Sequence, residues 1–250
     1  MSGFSAEWLT LREAADDRAR DAALRDAVAA RFDGALVADL GGGSGATLRV
    51  LGPLMPKARW RILDHDPALL ALAPRRDGVE TACVDLAARP EAAFEGAPRL
   101  VAASAFFDLA SASWIDRFVE ALAARRLPLY AALTYDGREE WRPEPPNEAD
   151  GLAAFHADMR RDKGFGPALG PNAADRLESA LRRVGYRVSA GRSDWRLEGP
   201  RDRRMIEALA AGGATAVEGA LAPQNLAAWR RGREAAEEVV VGHLDIFAEP

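Results

Sequence analysis

The sequence predicts an α/β fold in which helices cover both faces of a mostly parallel sheet. Short apolar runs alternate along the chain with stretches of helical pattern. A glycine-rich turn follows the first of these runs, and acidic residues follow the first three. The length of 250 residues fits one such domain. These observations favour a nucleotide-binding architecture.

The first predicted strand leads directly into the glycine-rich turn. Residues 35–38 are too few and too apolar for an amphipathic helix, and they suit a buried parallel strand. The turn contains Gly41, Gly43 and Gly45, and glycine lets the backbone take positive φ and approach a ligand closely. Asp39 precedes the turn, where a carboxylate accepts hydrogen bonds from an ammonium but repels a pyrophosphate.

The next two predicted strands, residues 59–63 and 79–84, are also followed by acids. Asp64 lies roughly twenty residues beyond the glycine turn, where nucleotide-binding α/β folds place the acid that binds a ribose. Asp85 follows the third strand. Ligands of these folds bind at the carboxyl ends of the strands, so we expect Asp39, Asp64 and Asp85 to face one ligand.

The acid-x-Gly-x-Gly-x-Gly spacing that begins at Asp39 resembles the first motif of class I S-adenosylmethionine-dependent methyltransferases. The resemblance covers about residues 35–135. It implies a Rossmann-like fold with a seven-stranded, mostly parallel sheet and an antiparallel last strand. It also implies S-adenosylmethionine as cofactor, with the three acids holding its ammonium, ribose and adenine in that order. The cofactor-binding residues implied are Asp39, Gly41, Gly43, Gly45, Asp64, His65, Asp85, Leu86 and Ser104.

The residues after the fourth predicted strand, 100–103, limit the acceptor. Enzymes of this family that methylate amino groups of DNA or protein glutamine carry Asn/Asp-Pro-Pro-Tyr/Phe here, and this chain has Ser-Ala-Phe-Phe from Ser104. The single cysteine, Cys83, falls in a strand predicted to be buried, so a cysteine nucleophile is not expected. The resemblance therefore favours a small-molecule N or O acceptor, with Phe107 beside the methyl-transfer site.

A segment after the fifth predicted strand, residues 128–134, is predicted to be a substrate lid. Residues 136–171 mix aromatic, glycine and charged residues and would lie over the carboxyl edge of the sheet. A histidine there is a candidate base near neutral pH, and basic side chains suit an anionic substrate. The candidate catalytic residues are Tyr135, Asp136 and His156, and the substrate-binding candidates in the lid are Arg160 and Lys163.

Residues outside the nucleotide-binding half complete the predicted domain. Residues 1–34 are expected to form a helical cover, helical from about 6 to 31, and residues 35–250 the methyltransferase domain. A helical excursion at about 198–238 precedes a last strand at 239–248, which is expected to form a hairpin with the sixth strand, 186–192.

Two other function classes remain open from the sequence. Gly41-x-Gly43-x-x-Ala46 also fits the dinucleotide fingerprint, so an NAD-dependent oxidoreductase is an alternative. The chain has no Tyr-x-x-x-Lys pair, which argues against the short-chain dehydrogenase mechanism only. A cofactor-binding subunit without its own chemistry is the second alternative, because the evidence for a catalytic base is weak.

Composition restricts the partners that we expect. A net charge of −5 argues against a general nucleic-acid binder. The sequence has no apolar run long enough for a membrane span and no signal-like N-terminus, so we expect a cytoplasmic protein. Its three histidines lack metal-ligand spacing, so no metal is expected. The expected partner is a small-molecule acceptor, with a homodimer possible.

Overall fold

The computed structural model describes residues 5–250, which fold around one sheet. The first four residues of the predicted helical cover lie outside the described residues. The strands are β1 Leu36–Leu40, β2 Arg59–Asp64, β3 Val79–Cys83, β4 Leu100–Ser104, β5 Leu129–Arg142, β6 Arg187–Arg192, β7 Trp195–Glu198 and β8 Glu238–Glu249.

Helices connect these strands and cover the sheet. None of the helices in residues 5–250 has the length and apolar character needed to cross a bilayer. The helices are α1 Ala6–Ala19, α2 Ala22–Phe32, α3 Ala46–Leu51, α4 Pro67–Leu70, α5 Ala112–Ala124, α6 Glu148–Met159, α7 Ala173–Arg183, α8 Gly199–Ala216 and α9 Pro223–Glu234.

The sheet has the order β3-β2-β1-β4-β5-β8-β6, which confirms the predicted fold class. Strands β1 to β5 are parallel, and β8 inserts antiparallel between β5 and β6. The predicted number of seven strands omits β7, which pairs with residues 238–241 of β8. Two apolar clusters fill the space between the sheet and its helices, one around Phe118 on α5 and the other around Phe32 on α2.

Strand β5 extends further than the sequence predicts, so the proposed lid begins later. Residues 139–142 pair antiparallel with the start of β8, after a register shift that contains Gly137 at φ 88°. The sequence of residues 139–142 is rich in charged residues and therefore does not resemble a buried strand. It forms a strand nevertheless, because only one face of this part of β5 is covered, where Trp141 is buried. The predicted insertion 136–171 is therefore wrong at its start, because residues 136–142 belong to the sheet.

Two further predictions about local structure need correction. The N-terminal segment forms two helices, because the chain turns at Arg20 and Asp21 caps the second helix by accepting from the Leu24 N–H. Cys83 is exposed, since β3 is the edge strand of the sheet. Helix α4 begins at Pro67, with Asp66 at its N-cap accepting from the Ala68 N–H.

Asp245 in β8 stabilises a bulge in β5. Leu133 has φ 54°, in the left-handed region, and its N–H donates to Asp245 Oδ1 at 2.8 Å. The other carboxylate oxygen accepts from the Asp21 N–H and the Tyr130 hydroxyl, both at 3.1 Å. This fully buried carboxylate therefore joins β5, β8 and the start of α2.

Replacing Asp245 with alanine is expected to lower the free energy of unfolding by about 3 kcal/mol or more, because buried donors lose their charged acceptor. Urea denaturation measures the change. Asp77→Ala, at an exposed position, is the control and is expected to have almost no effect. A loss below about 1 kcal/mol for Asp245→Ala would show that the bulge does not depend on this carboxylate.

Candidate functional site

A cavity of about 790 Å³ lies over the carboxyl ends of β1 to β4. Its walls come from the turn after β1, the ends of β2 to β4, helix α1 and the segment after α6. The residues that line it are Leu9, Arg12, Glu13, Asp16, Gly41, Gly42, Gly43, Ser44, Ala46, Arg49, Asp64, His65, Asp66, Leu69, Val84, Asp85, Leu86, Ala87, Ser104, Ala105, Phe106, Leu109, Asp158, Arg161, Asp162, Lys163, Gly164 and Phe165.

The glycine turn forms one end of the cavity. Gly41, Gly43 and Gly45 have φ values of 58°, 49° and 92°, which favour glycine. The Gly43 N–H donates to Asp64 Oδ2 at 2.9 Å, so the acid after β2 holds the turn after β1. A side chain at Gly41 would also collide with the Phe106 ring, since a Cβ there would lie 2.6 Å from Cδ2.

The acids at the ends of β2 and β3 line the cavity. Asp64 is buried and also accepts from the Asp66 N–H at 2.9 Å. Asp85 is exposed and caps the next turn by accepting from the Ala87 N–H. The Leu86 carbonyl accepts from the Trp114 indole N–H at 2.9 Å, and the Leu86 N–H has no acceptor within the described chain. The predicted His65 lines the same cavity.

Asp39 does not line the cavity, which corrects the prediction that it contacts a ligand directly. Its side chain is fully buried behind Gly42, and its Oδ1 accepts from the Thr47 hydroxyl at 2.8 Å. Oδ2 has no partner in the described residues. Burial raises the pKa of Asp39 to about 7, against the opposing effects of the Thr47 hydrogen bond and the nearby Arg20 charge. The carboxylate supports the glycine turn from below.

Ser104 lines the cavity, and its hydrogen-bond partner is a residue that the sequence did not reveal. The Ser104 hydroxyl accepts from Arg20 Nη2 at 2.9 Å. Arg20 lies between α1 and α2 and is buried. Its neighbours in the sequence are charged residues with a helical pattern, which is typical of a solvent-exposed helix face and gives no sign that Arg20 is buried.

Helix α1 forms a side wall of the cavity. Arg12 and Asp16 form a buried ion pair at 2.9 Å, and the Trp195 indole N–H donates to Asp16 Oδ1. Arg12 lines the cavity, whereas Trp8 packs against Trp195. Ion pairs of Arg49 with Glu13 and Asp17 join α1 to α3.

The segment after α6 lies over the cavity and packs on aromatic residues below it. Phe165 contacts Phe106 and Trp114 edge to face, with centroids 5.4 and 5.3 Å apart. Lys163 lines the cavity and pairs with Asp158 at 3.2 Å. These contacts attach residues 158–165 to the turn that follows β4.

Two predicted substrate-binding residues lie away from the cavity. Arg160 is exposed at the end of α6. Phe107 is buried beside Trp114 and Phe118, because the turn after β4 directs Phe106, and not Phe107, toward the cavity. Both predictions are wrong in this geometry.

The three predicted catalytic residues also lie outside the cavity. The Tyr135 hydroxyl contacts His156 Nε2 at 2.9 Å and donates to Glu139 at 3.2 Å. Burial raises the pKa of Tyr135 and lowers the pKa of His156. Asp136 is paired with Arg138 at 2.6 Å. The side chains of Tyr135, Asp136 and His156 make these contacts within β5 and between β5 and α6. They are therefore not placed to exchange a proton with a ligand in the cavity.

Acidic side chains outnumber basic side chains in the cavity lining. Seven aspartates and glutamates line it against four arginines and lysines. Such a lining favours a cationic ligand over a polyphosphate. In the described part of the chain, no cluster of three or more His, Cys, Asp or Glu side chains is arranged to hold a metal ion.

Comparisons with solved structures identify the fold. No family model and no curated protein sequence matches the chain. The YcgJ protein from Bacillus subtilis is 9% identical with a TM-score of 0.55, covering 92% of this chain and 98% of that one. The cyclopropane synthase MmaA2 from Mycobacterium tuberculosis is 13% identical with a TM-score of 0.51, covering 91% and 83%. The chain has the Rossmann-like class I methyltransferase fold.

Replacing Gly42 with alanine is expected to lower the free energy of unfolding by about 1–3 kcal/mol, because overpacking displaces neighbouring groups. Its Cβ would lie 2.7 Å from both Asp39 Oδ2 and Ile62 Cγ2. Gly212→Ala in α8 is the control, since its Cβ meets nothing within 4 Å, and it is expected to stabilise the protein slightly. Thermal unfolding compares the two variants, and equal stability would contradict the tight packing behind the turn.

His243, in β8 beside Trp195 and Tyr135, makes the stability depend on pH. Burial lowers its pKa from 6.5 to about 3, so the folded protein holds it neutral while the unfolded chain takes up a proton. The contribution of His243 to stability is therefore expected to fall as the pH decreases below about 6.5, by about 2 kcal/mol at pH 5, and it opposes the gain expected from Asp39, whose raised pKa makes its protonation favour the folded state. Urea denaturation at several pH values measures the effect.

His243→Gln is expected to remove this contribution, so its stability relative to wild type is expected to rise by about 2 kcal/mol from pH 7 to pH 5. His65→Gln is the matched control, because the His65 side chain is 67% exposed, and it is expected to leave the pH dependence unchanged. An identical pH dependence in wild type and His243→Gln would contradict the assignment.

Proposed function

We propose that this protein is a class I S-adenosylmethionine-dependent methyltransferase that transfers a methyl group to an N or O atom of a small molecule. The observation that carries the proposal is the convergence of the glycine turn, Asp64 and Asp85 on one acid-lined cavity. The fold is known to be of the class I methyltransferase type, and the cavity lies where α/β folds bind ligands.

The residues present fit this cofactor. Each Asp64 oxygen accepts one backbone hydrogen bond and keeps a further lone pair for a ribose hydroxyl. The Leu86 N–H and the Asp85 carboxylate offer a donor and an acceptor to an adenine ring. The excess of acidic side chains in the lining suits a sulfonium and an ammonium.

The same features disfavour the dinucleotide alternative. The dinucleotide-binding fold has the strand order 3-2-1-4-5-6. Here β8 enters antiparallel between β5 and β6, which is the antiparallel last strand that the sequence resemblance implies. A pyrophosphate would also face the acidic lining, at an energetic cost.

The acceptor would occupy the part of the cavity between α1 and the segment after α6. Leu9, Leu109 and Phe165 provide apolar surface there. In this proposal α1 and α2 form the cover, and the residues after Arg142 up to about 171 form the lid. The cavity has to hold cofactor and acceptor together in about 790 Å³, which favours a small acceptor.

Catalysis in this proposal depends on positioning. When bound, S-adenosylmethionine would supply a methyl group activated by its sulfonium, and an acceptor lone pair would attack that methyl carbon in line with the C–S bond, with S-adenosylhomocysteine as the leaving group. The chain holds the acceptor close to that methyl group and excludes water with the lid, and such positioning alone lowers the barrier substantially. Because Tyr135, Asp136 and His156 lie outside the cavity, an acceptor that arrives with an available lone pair fits best.

Calorimetry of the purified protein tests this proposal. We expect micromolar binding of S-adenosylhomocysteine, in the usual range for cofactors, and no binding of NADH. Binding of NADH alone would overturn the proposal and favour an oxidoreductase.

Asp85→Asn is expected to weaken S-adenosylhomocysteine binding about tenfold, because the charged carboxylate that would accept from the adenine amino group becomes a neutral amide. Glu80→Gln, exposed on β3 and outside the cavity, is the matched control and is expected to bind like wild type. Equal affinity in both variants would remove Asp85 from the site.

A further inference from the structure

Arg20 is a buried charge that lies near Tyr130 and Asp39, and only part of its hydrogen-bonding capacity is used. Its Nη2 donates to the Ser104 hydroxyl at 2.9 Å, while Nε and Nη1 have no partner in the described residues and no contact with solvent. A guanidinium carries a permanent positive charge and five N–H donors. Leaving such donors unpaired in the interior is costly, so a buried arginine of this kind indicates a role beyond packing.

Ser104 connects this charge to the cavity. The residue lies at the carboxyl end of β4 and lines the cavity, whereas Arg20 lies behind it. Because the Ser104 oxygen accepts from Arg20, its own proton remains available to an acceptor in the cavity. The hydrogen bond therefore presents a serine O–H donor backed by a positive charge.

The surroundings make this donor distinctive. Acidic side chains outnumber basic ones in the cavity lining, and at Ser104 a buried cation that is not itself part of the lining lies directly behind the wall. In the low dielectric of the interior, that charge favours an anionic group at the Ser104 hydroxyl. The amino-acid end of S-adenosylmethionine carries one such group, its carboxylate.

We propose that Arg20 is a positioning residue that acts through the Ser104 hydroxyl to make the site select a cofactor with a carboxylate at its amino-acid end. The inference rests on the proposed function and adds a residue outside the cavity that sets cofactor specificity. Arg20 orients the hydroxyl, and its charge strengthens the hydrogen bond that the hydroxyl donates.

Calorimetry with three ligands tests the inference on the full chain. The ligands are S-adenosylhomocysteine, the amine that remains when this compound loses its carboxylate, and methylthioadenosine, which lacks the whole amino-acid chain. Wild type is expected to prefer the first ligand to the second. Arg20→Met is expected to reduce this preference about tenfold or more, the value of a charge-assisted hydrogen bond, with methylthioadenosine affinity unchanged.

Ser104→Ala is expected to lose the same preference, and the double variant is expected to lose no more than either single variant, because both remove one interaction. Arg20→Lys keeps a charge and is expected to retain more of the preference than Arg20→Met. Arg25→Met on α2, whose ion pair with Asp26 is at the surface, is the matched control and is expected to behave like wild type.

The possible results separate the two proposals. Wild type that binds none of the three ligands would overturn the proposed function and this inference together. An unchanged preference in Arg20→Met would overturn the inference alone. Equal weakening of all three ligands in Arg20→Met and Ser104→Ala would also overturn it, because that result indicates a structural role.

Discussion

The hydrogen bond from the Gly43 N–H to Asp64 is the contact on which the site depends. It joins the turn after β1 to the end of β2, at the edge where the strands of an α/β sheet present their ligands. The Asp39 carboxyl lies behind Gly42 of the same turn and accepts from the Thr47 hydroxyl at the start of α3. Since both acids are buried, the turn keeps one conformation, and its glycines leave the backbone open to a ligand.

The walls of the cavity depend on the long antiparallel pairing of β5 with β8. Beyond the cavity, Arg233 of α9 pairs with Glu139 of β5 at 2.8 Å and with Glu148 of α6. Its guanidinium lies between the rings of Trp141 and Trp229, 4.3 and 4.2 Å from their centroids. The helical excursion before β8 thus fixes the base of α6, from which residues 158–165 extend over the cavity.

The nucleotide-binding half of the fold was predictable because its signals are local. Apolar runs, turn glycines and acids at strand ends predict parallel strands with Asp64 and Asp85 after them, and both residues line the cavity, while their binding roles stay predictions. The failures arise where distant segments decide the structure. Tyr135 and His156 face a cluster formed by α6, β5 and β8, and Arg20 matters through a contact with a residue 84 positions away. No local pattern encodes such contacts.

The most direct test of the site is hydrogen–deuterium exchange with and without S-adenosylhomocysteine. The account predicts slower exchange in the turn at residues 41–44, around Leu86 and in the segment 161–165, because these line one cavity. Peptides from α8, far from the cavity, are expected to exchange equally in both states. Ligand-dependent protection confined to other parts of the chain would contradict the site.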